Sequence, residues 1–233
     1  MVIEAFPPVE TADDYGLLAI GGDVEVLSLL LAYRQGIFPW STYGDMLTWF
    51  APPDRALLFL EDVHFSKSFS KFLKTQPYHI RINTNFAEVI SRCQEVINRG
   101  EQDGTWITDE IVDGYTGLHQ AGFAFSVEAY LKDSLVGGLY GVSINGMLAG
   151  ESMFYREPNA SKVCLAFLIE RMRQHTIPWL DCQVMTDNLE SFGAREVRRD
   201  IFMKLLKEQL SRKVDLFQRD EDIGIWRPKH ASA

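Results

Sequence analysis

Residues 135–154 read LVGGLYGVSINGMLAGESMF, residues 161–175 read SKVCLAFLIERMRQH, and residues 179–185 read WLDCQVM. The first stretch is two β-rich runs joined by Asn145-Gly146, a dipeptide suited to a tight type I′ hairpin. The second has helix length, with apolar residues at Val163, Leu165, Ala166, Phe167, Leu168, Ile169 and Met172. The third is a short apolar run after Pro178. Strand, helix, strand is a crossover, so the strands near Met153 and Asp181 are expected to be parallel and right-handedly connected. Polar side chains stand inside these strands: Glu151 in one, Asp181 and Gln183 in the next. Strand alternation puts Asp181 and Gln183 on one face and Cys182 on the other. If the strands are neighbours, two carboxylates and an amide converge on one cleft. That cleft is where chemistry is expected.

Upstream, Phe123 to Tyr155 reads as three β runs with turns at Asp133-Ser134 and Asn145-Gly146, an antiparallel meander feeding the crossover. Asp23 is a candidate N-cap for a helix over Val24–Gln35, which Gly36 stops. Tyr33, Phe38, Trp40, Tyr43, Trp49 and Phe50 crowd the next segment. They suit a small satellite core first, and a wall for a stacking ligand second. Pro52-Pro53 marks the best boundary, giving a small N-terminal domain over 1–54 and a catalytic domain over 55–233. A strand at Ala56–Leu60 follows, then a helix at Ser66–Leu73, near which Lys67, Lys71 and Lys74 share a face. Such a stripe is usually a solvated face, but unpaired lysines in an acidic chain are also candidate phosphate contacts. Tyr78–Ile82 is a strand. Phe86–Asn98 is a helix stopped by Gly100, and Asp109–Gln120 a helix capped by Thr108. A basic run, Arg195, Arg198 and Arg199, precedes a last amphipathic helix.

At 233 residues the chain can bury a full core. No apolar run reaches membrane-spanning length, and MVIEAFPPVE lacks a signal peptide's basic start and apolar core. Three cysteines, Cys93, Cys164 and Cys182, in apolar or helical contexts fit a reduced, cytoplasmic protein. Metal-ligand spacings such as CxxC, HxH and HExxH are absent. The net charge of −9 argues against bulk polyanion binding, though a local basic patch can override it.

A meander, a helix and a strand parallel to the last meander strand is the order of the Gcn5-related acetyltransferase fold. The expected class is therefore α+β, a small N-terminal α/β domain plus an acetyltransferase-like domain with a splayed parallel pair. That superfamily holds its pyrophosphate on a glycine-rich loop. Here the loop is Arg156-Glu157-Pro158-Asn159-Ala160-Ser161, without glycine, which disfavours acyl-CoA. In order along the chain stand GLLAIGGD (16–23), AYRQGIFPW (32–40), WFAPPDR (49–55), GTWIT (104–108), LVGGLYGV (135–142), GESMF (150–154), ASK (160–162) and DCQ (181–183). Together they closely resemble the bacterial leucyl/phenylalanyl-tRNA–protein transferase family, from about Gly16 to Phe202.

The resemblance implies transfer of leucine or phenylalanine from aminoacyl-tRNA to the α-amino group of proteins beginning with Arg or Lys, marking them for N-degron proteolysis. No cofactor is implied, because the aminoacyl ester is already activated and the enzyme need only orient the amine, accept its proton and stabilise the oxyanion. By the family pattern Asp181 would polarise Gln183, whose side-chain oxygen would meet the attacking amine. An amide is a poor base, so positioning suits Gln183 better than proton abstraction. Glu151 would hold the polar network or the incoming cationic terminus. Leu139, Leu148, Met153, Leu168 and Leu180 match the aminoacyl pocket. Methylene-level discrimination is worth only about 1–3 kcal/mol, which leaves methionine as a further donor. Tyr33, Trp40, Trp106 and Tyr115 would meet the terminal adenosine, and Lys67, Lys71 and Lys74 the tRNA backbone. The family often has a fourth basic residue where this chain has Thr75. Competing readings are a CoA-dependent N-acetyltransferase, opposed by the loop, and a non-catalytic adaptor for basic N-termini, which has no use for stacking aromatics or a lysine stripe.

Overall fold

The computed structural model describes residues 2–40, 46–96, 98–99, 102–103, 105–214, 216–217 and 220–228. A short 3-10 turn at Val9–Thr11, then β1 (Leu17–Ile20), α1 (Val26–Arg34), β2 (Phe38–Pro39) and β3 (Thr48–Phe50), precede the large sheet. The strands form a small antiparallel sheet in the order β1-β3-β2. The fully buried Trp49 anchors it, donating its indole N–H to the Gly21 carbonyl (2.9 Å). Asp23 binds the start of α1, accepting from the Glu25 N–H (3.0 Å) and the Ser28 hydroxyl (2.7 Å). The helix itself begins two residues later than expected. Gly36 ends it at φ +74, where a side chain would strike Phe202 and Met203 at 2.9 Å. Tyr43, Ile97, Gly100 and Gly104 lie outside the described residues.

From Asp54 onward the chain builds β4 (Asp54–Phe59), α2 (Lys67–Leu73), β5 (His79–Ile82), α3 (Phe86–Gln94), β6 (Asn98–Arg99), β7 (Gln102–Asp103) and α4 (Asp109–Gln120). There follow β8 (Ala124–Leu131), β9 (Ser134–Ile144), β10 (Met147–Tyr155), α5 (Ala160–Gln174), β11 (Trp179–Asp181), α6 (Asp187–Glu190), β12 (Arg195–Arg198), α7 (Arg199–Leu210) and β13 (Glu221–Ile225). Ser66 caps α2 through the Phe69 N–H, and Thr108 caps α4 through the Ile111 N–H.

Eight strands form one mixed sheet in the order β12-β4-β11-β10-β9-β8-β5-β13. The meander β8-β9-β10 is antiparallel, and α5 carries the chain over to β11, which pairs parallel with β10. The expected crossover is present, within an α+β architecture. Each face has its own core. On one, α5 and α2 cover Leu58, Leu139, Leu148 and Leu180. On the other, α1, α3, α4, α7 and the small sheet cover Leu57, Tyr140, Ala149 and Trp179.

Several local expectations shift. The helix from Phe86 stops at Gln94, and β6 and β7 follow as a two-stranded ribbon. The first meander turn is Lys132-Asp133, with Lys132 at φ 56, rather than Asp133-Ser134. At the second, Asn145 takes the left-handed region (φ 55) but Gly146 does not, so the type I′ form, which needs both, is not adopted. The Gly146 N–H instead reaches the Gln209 carbonyl (3.2 Å) at the end of α7. The edge strands β12 and β13 were not anticipated. Each is four or five residues long and defined by its partner, β4 or β5.

Candidate active site

The site lies where β10 and β11 part. Their parallel pairing rests on one register pair, Ala149 with Asp181. Beyond it the chain stays with β4: the Cys182 N–H donates to the Ala56 carbonyl (2.9 Å) and the Ala56 N–H to the Gln183 carbonyl (3.1 Å). The strand ends at Asp181, and Gln183 takes φ 58. Gln183 therefore does not continue the strand alternation expected of it. The left-handed turn carries it out of register.

On the other strand, pairing with β9 runs from Gly150 opposite Gly141 to Ser152 opposite Tyr140, so Glu151 is the extra residue of a β-bulge. Bulges re-aim side chains, and this one breaks the alternation beside the splay. The Gln183 amide donates to Glu151 Oε1 (2.9 Å), bridging the two strands where backbone pairing has stopped. The three polar residues singled out in the sequence do converge, through a turn and a bulge rather than through two regular strands.

Asp181 is 2 % exposed and held by Arg55, whose Nε and Nη2 donate to its two carboxylate oxygens at 2.8 and 2.7 Å. The guanidinium also donates to the Gly36 carbonyl (3.1 Å) and lies 4.7 Å from the Phe38 ring and 4.6 Å from the Phe202 ring. Asp181 reaches Gln183 through the backbone N–H (3.0 Å). Its charge is matched by Arg55, and its contact fixes the turn rather than the side-chain amide. Arg55 had no assigned role in the sequence reading. The available signal was a cation next to the start of the apolar strand DRALLF, which burial obliges to find a counter-charge.

Behind Glu151 stand two phenols. The Tyr115 hydroxyl of α4 donates to Glu151 Oε2 (3.3 Å), and the Tyr33 hydroxyl of α1 is hydrogen-bonded to that of Tyr115. Burial, offset in part by Tyr33 and by other partners, raises the Glu151 carboxyl to about 7. Both phenols are held well above their ordinary range, by burial first and by the Glu151 charge next, so they remain donors. Burial likewise pushes the Cys182 thiol up, so it is no nucleophile.

The structure places the remaining candidates as follows. Leu139, Leu148, Leu168 and Leu180 are buried and Met153 half-buried, all in the core on the α5 face. Trp40 and Trp106 are half-buried, with Trp40 edge-on to Phe50 at 5.5 Å. Tyr33 and Tyr115 are buried rings whose hydroxyls serve Glu151, whereas the two tryptophans are partly exposed. Lys67, Lys71 and Lys74 are exposed, and among the described residues no ion pair engages them. Among the described residues no group of three His, Cys, Asp or Glu side chains could hold a metal ion, and no helix is long and apolar enough to cross a membrane.

Residues 57–207 match the family profile described as leucyl/phenylalanyl-tRNA protein transferase, and residues 22–53 match the profile of that family's N-terminal domain. Proteins named leucyl/phenylalanyl-tRNA–protein transferase are similar along most of their length. The one from Flavobacterium johnsoniae is 45% identical over 204 residues, covering 88% of this chain and 96% of its own. That from Syntrophus aciditrophicus is 44% identical, covering 89% and 86%, and that from Chromobacterium violaceum 42%, covering 88% of each. Among solved structures, L-PGS from Bacillus licheniformis aligns over 73% of this chain and 54% of its own at 11% identity and a TM-score of 0.39, too distant to bear on the fold.

Proposed function

The chain belongs to the leucyl/phenylalanyl-tRNA–protein transferase family, a family of aminoacyltransferases, and on that footing we propose a full reading of its reaction. The protein takes leucine or phenylalanine, with methionine as a further donor, from the 3′ end of charged tRNA. It joins the residue to the α-amino group of a protein that begins with Arg or Lys. The product carries a new N-terminal residue that marks it for N-degron proteolysis, a cytoplasmic process. The observation that carries this reading is the Gln183–Glu151 bridge (2.9 Å) across the splay between β10 and β11. It sets polar groups at a gap whose α5 side is lined by aliphatic side chains.

The roles follow from placement. Leu139, Leu148, Met153, Leu168 and Leu180 take the aminoacyl side chain, with Met153, half-buried, at the accessible end. Trp40 and Trp106 stack the terminal adenosine. Lys67, Lys71 and Lys74 meet tRNA phosphates, contacts that carry no sequence information and so suit an enzyme accepting several tRNAs. Gln183 positions the attacking amine through its amide oxygen while its NH2 is held by Glu151. Asp181, with Arg55, fixes the turn that aims Gln183. Residues 1–54 form a unit that brings Trp40 to the adenosine site, and the catalytic part, 55–233, brings Trp106.

One assay tests the reading. Purified protein is given radiolabelled leucyl-tRNA or acetyl-CoA, with a peptide beginning in Arg or in Asp. Label is expected only in the Arg peptide and only from leucyl-tRNA. Acetylation of the peptide, or peptide binding without transfer, would replace the reading with an acetyltransferase or an adaptor.

A further inference from the structure

We propose that the Glu151 carboxylate takes the proton from the attacking α-amine and returns it to the leaving ribose oxygen, with Tyr115 and Tyr33 as positioning residues behind it. The inference rests on the transfer reading above and names the proton acceptor that the reading leaves open.

The other groups at the site are unsuited to the task. Asp181 is 2 % exposed, and its oxygens take both arms of Arg55 and the Gln183 N–H. A proton arriving there would have to displace a buried guanidinium. The Gln183 side chain is a neutral amide, which accepts a hydrogen bond but does not hold a proton at ordinary pH. The Cys182 thiol is raised by burial and bonded toward the Leu180 carbonyl. Histidine is absent from the network; His119, from α4, is stacked on Phe86 with its Nδ1 at the Ala124 carbonyl. Glu151 differs from its partners in being only half-buried, whereas Tyr33, Tyr115, Asp181 and Gln183 are all buried. A base has to meet its substrate, and within this network Glu151 is the ionisable side chain with an open side.

The groups facing Glu151 come from five elements. Tyr33 lies on α1 and Tyr115 on α4, with Tyr140 of β9 edge-on to Tyr115 (5.7 Å, 81°). Arg55 comes from β4 and Asp181 from β11, with Cys182 next to it. Burial and the Asp181 charge favour the protonated acid, while the phenols and Arg55 favour the carboxylate. The balance near neutrality matches what a shuttle needs, since the group has to accept and release within one turnover.

The step balances. The neutral amine attacks the ester carbonyl, and a C–N bond forms. The nitrogen's surplus proton passes to Glu151. The tetrahedral intermediate then collapses, the C–O bond to the ribose breaks, and the proton on Glu151 moves to that oxygen. Amide and ribose hydroxyl leave, and the carboxylate is restored.

The test is the pH dependence of kcat/KM for the Arg peptide, measured at saturating leucyl-tRNA. On the alkaline plateau Glu151→Gln should lose at least 100-fold, a deficit that narrows as the wild-type carboxylate protonates at lower pH, and Glu151→Asp should recover part of the rate. Tyr115→Phe removes a donor to the charged form, so its acid limb should move upward: about threefold slower than wild type at pH 6, equal at pH 9. Tyr33→Phe should move it the same way by less, and serves if Tyr115→Phe folds poorly. The acceptor amine titrates too, but in kcat/KM it does so as the free peptide, whose pKa an enzyme substitution does not change, so a moved limb belongs to the enzyme. A brisk wild-type rate with unmoved limbs in both Phe variants, or Glu151→Gln within tenfold of wild type on the alkaline plateau, overturns the inference alone. A wild-type protein that transfers nothing from leucyl-tRNA at any pH overturns the transfer reading and the inference with it.

Discussion

Glu128 and Glu151 occupy the strands on either side of β9, in the same sheet, and they are opposite kinds of carboxylate. Glu128 is fully buried and accepts from the Asn85 N–H (2.8 Å), the Ser126 hydroxyl (2.8 Å) and the Thr84 hydroxyl. Asn85 opens α3, so the charge also sits where the helix dipole favours it. Glu151 has one amide and one phenol, no helix terminus among its partners, and an open side. Burial alone does not mark a working carboxylate. The number of donors, their strength and the access to solvent do.

Exchanging the two losses gives the largest effect. Glu151→Gln should cut transfer about 10²–10⁴-fold without weakening the fold. Glu128→Ala should leave the rate per folded molecule near wild type but cost about 3 kcal/mol, because buried donors at the start of α3 lose their acceptor. Urea melts beside single-turnover rates read both. A fully folded Glu128→Ala protein that has lost transfer would erase the distinction.

Asp181 is, like Glu128, a buried carboxylate, and Arg55 decides its behaviour. Arg55→Met strands the Asp181 charge and should destabilise by about 3–5 kcal/mol. Adding Asp181→Leu should recover part of that loss, while transfer stays low because the Gln183 turn has lost its acceptor. A double-mutant cycle measures the coupling. Additive losses would mean that the pair is not the unit its geometry suggests.

How far the sequence leads can be judged on these same residues. The meander, α5 and the parallel β11 are written in strong local signals: turn dipeptides, a helix-length apolar segment and a Pro-bounded strand. Glu151, Asp181 and Gln183 stand out as polar residues in apolar strands. Their actual geometry does not, since nothing in DCQ announces a left-handed Gln183 and nothing in GESMF announces a bulge. The turn is set by β4, far away in sequence, and the bulge by the register of β10 on its hairpin partner β9. Arg55 meets Asp181 across 126 positions, and Tyr33 meets Tyr115 across 82. Glu128 lies as plainly inside a strand as Glu151 does. Only tertiary contacts separate a capped carboxylate from a reactive one.

Exposed charges form the other pole of the comparison, and a smaller effect. Lys67, Lys71 and Lys74 lie in solvent, so replacing all three with alanine should leave stability and the acid limb unchanged. The slope of log affinity for aminoacyl-tRNA against log salt should flatten by about two to three units, roughly 0.7–0.9 per contact. A short aminoacyl-adenosine donor should be spared. Equal losses with both donors would put the lysines among the supports of the fold.

The smallest effect is the most diagnostic, because it gives the two carboxylates opposite signs. The Glu151 carboxyl is raised from 4.5 to about 7, so the folded protein holds that proton more tightly than the unfolded chain does. A raised acid contributes its stability below the unfolded value, loses it as pH climbs through about 7, and then levels off. At pH 8 wild type therefore carries a half-buried charge that costs at most about 3 kcal/mol. Glu151→Gln resembles the protonated acid at every pH. Its advantage over wild type should be near zero at pH 4, grow between pH 5 and 7, and be largest at pH 8. Glu128→Ala should be weaker than wild type at pH 8. Background titrations common to both proteins cancel in the difference, so urea midpoints at three pH values suffice. A Glu151→Gln protein no more stable than wild type at pH 8 would mean that Glu151 is as well satisfied as Glu128, and the separation between a structural and a working carboxylate would fail.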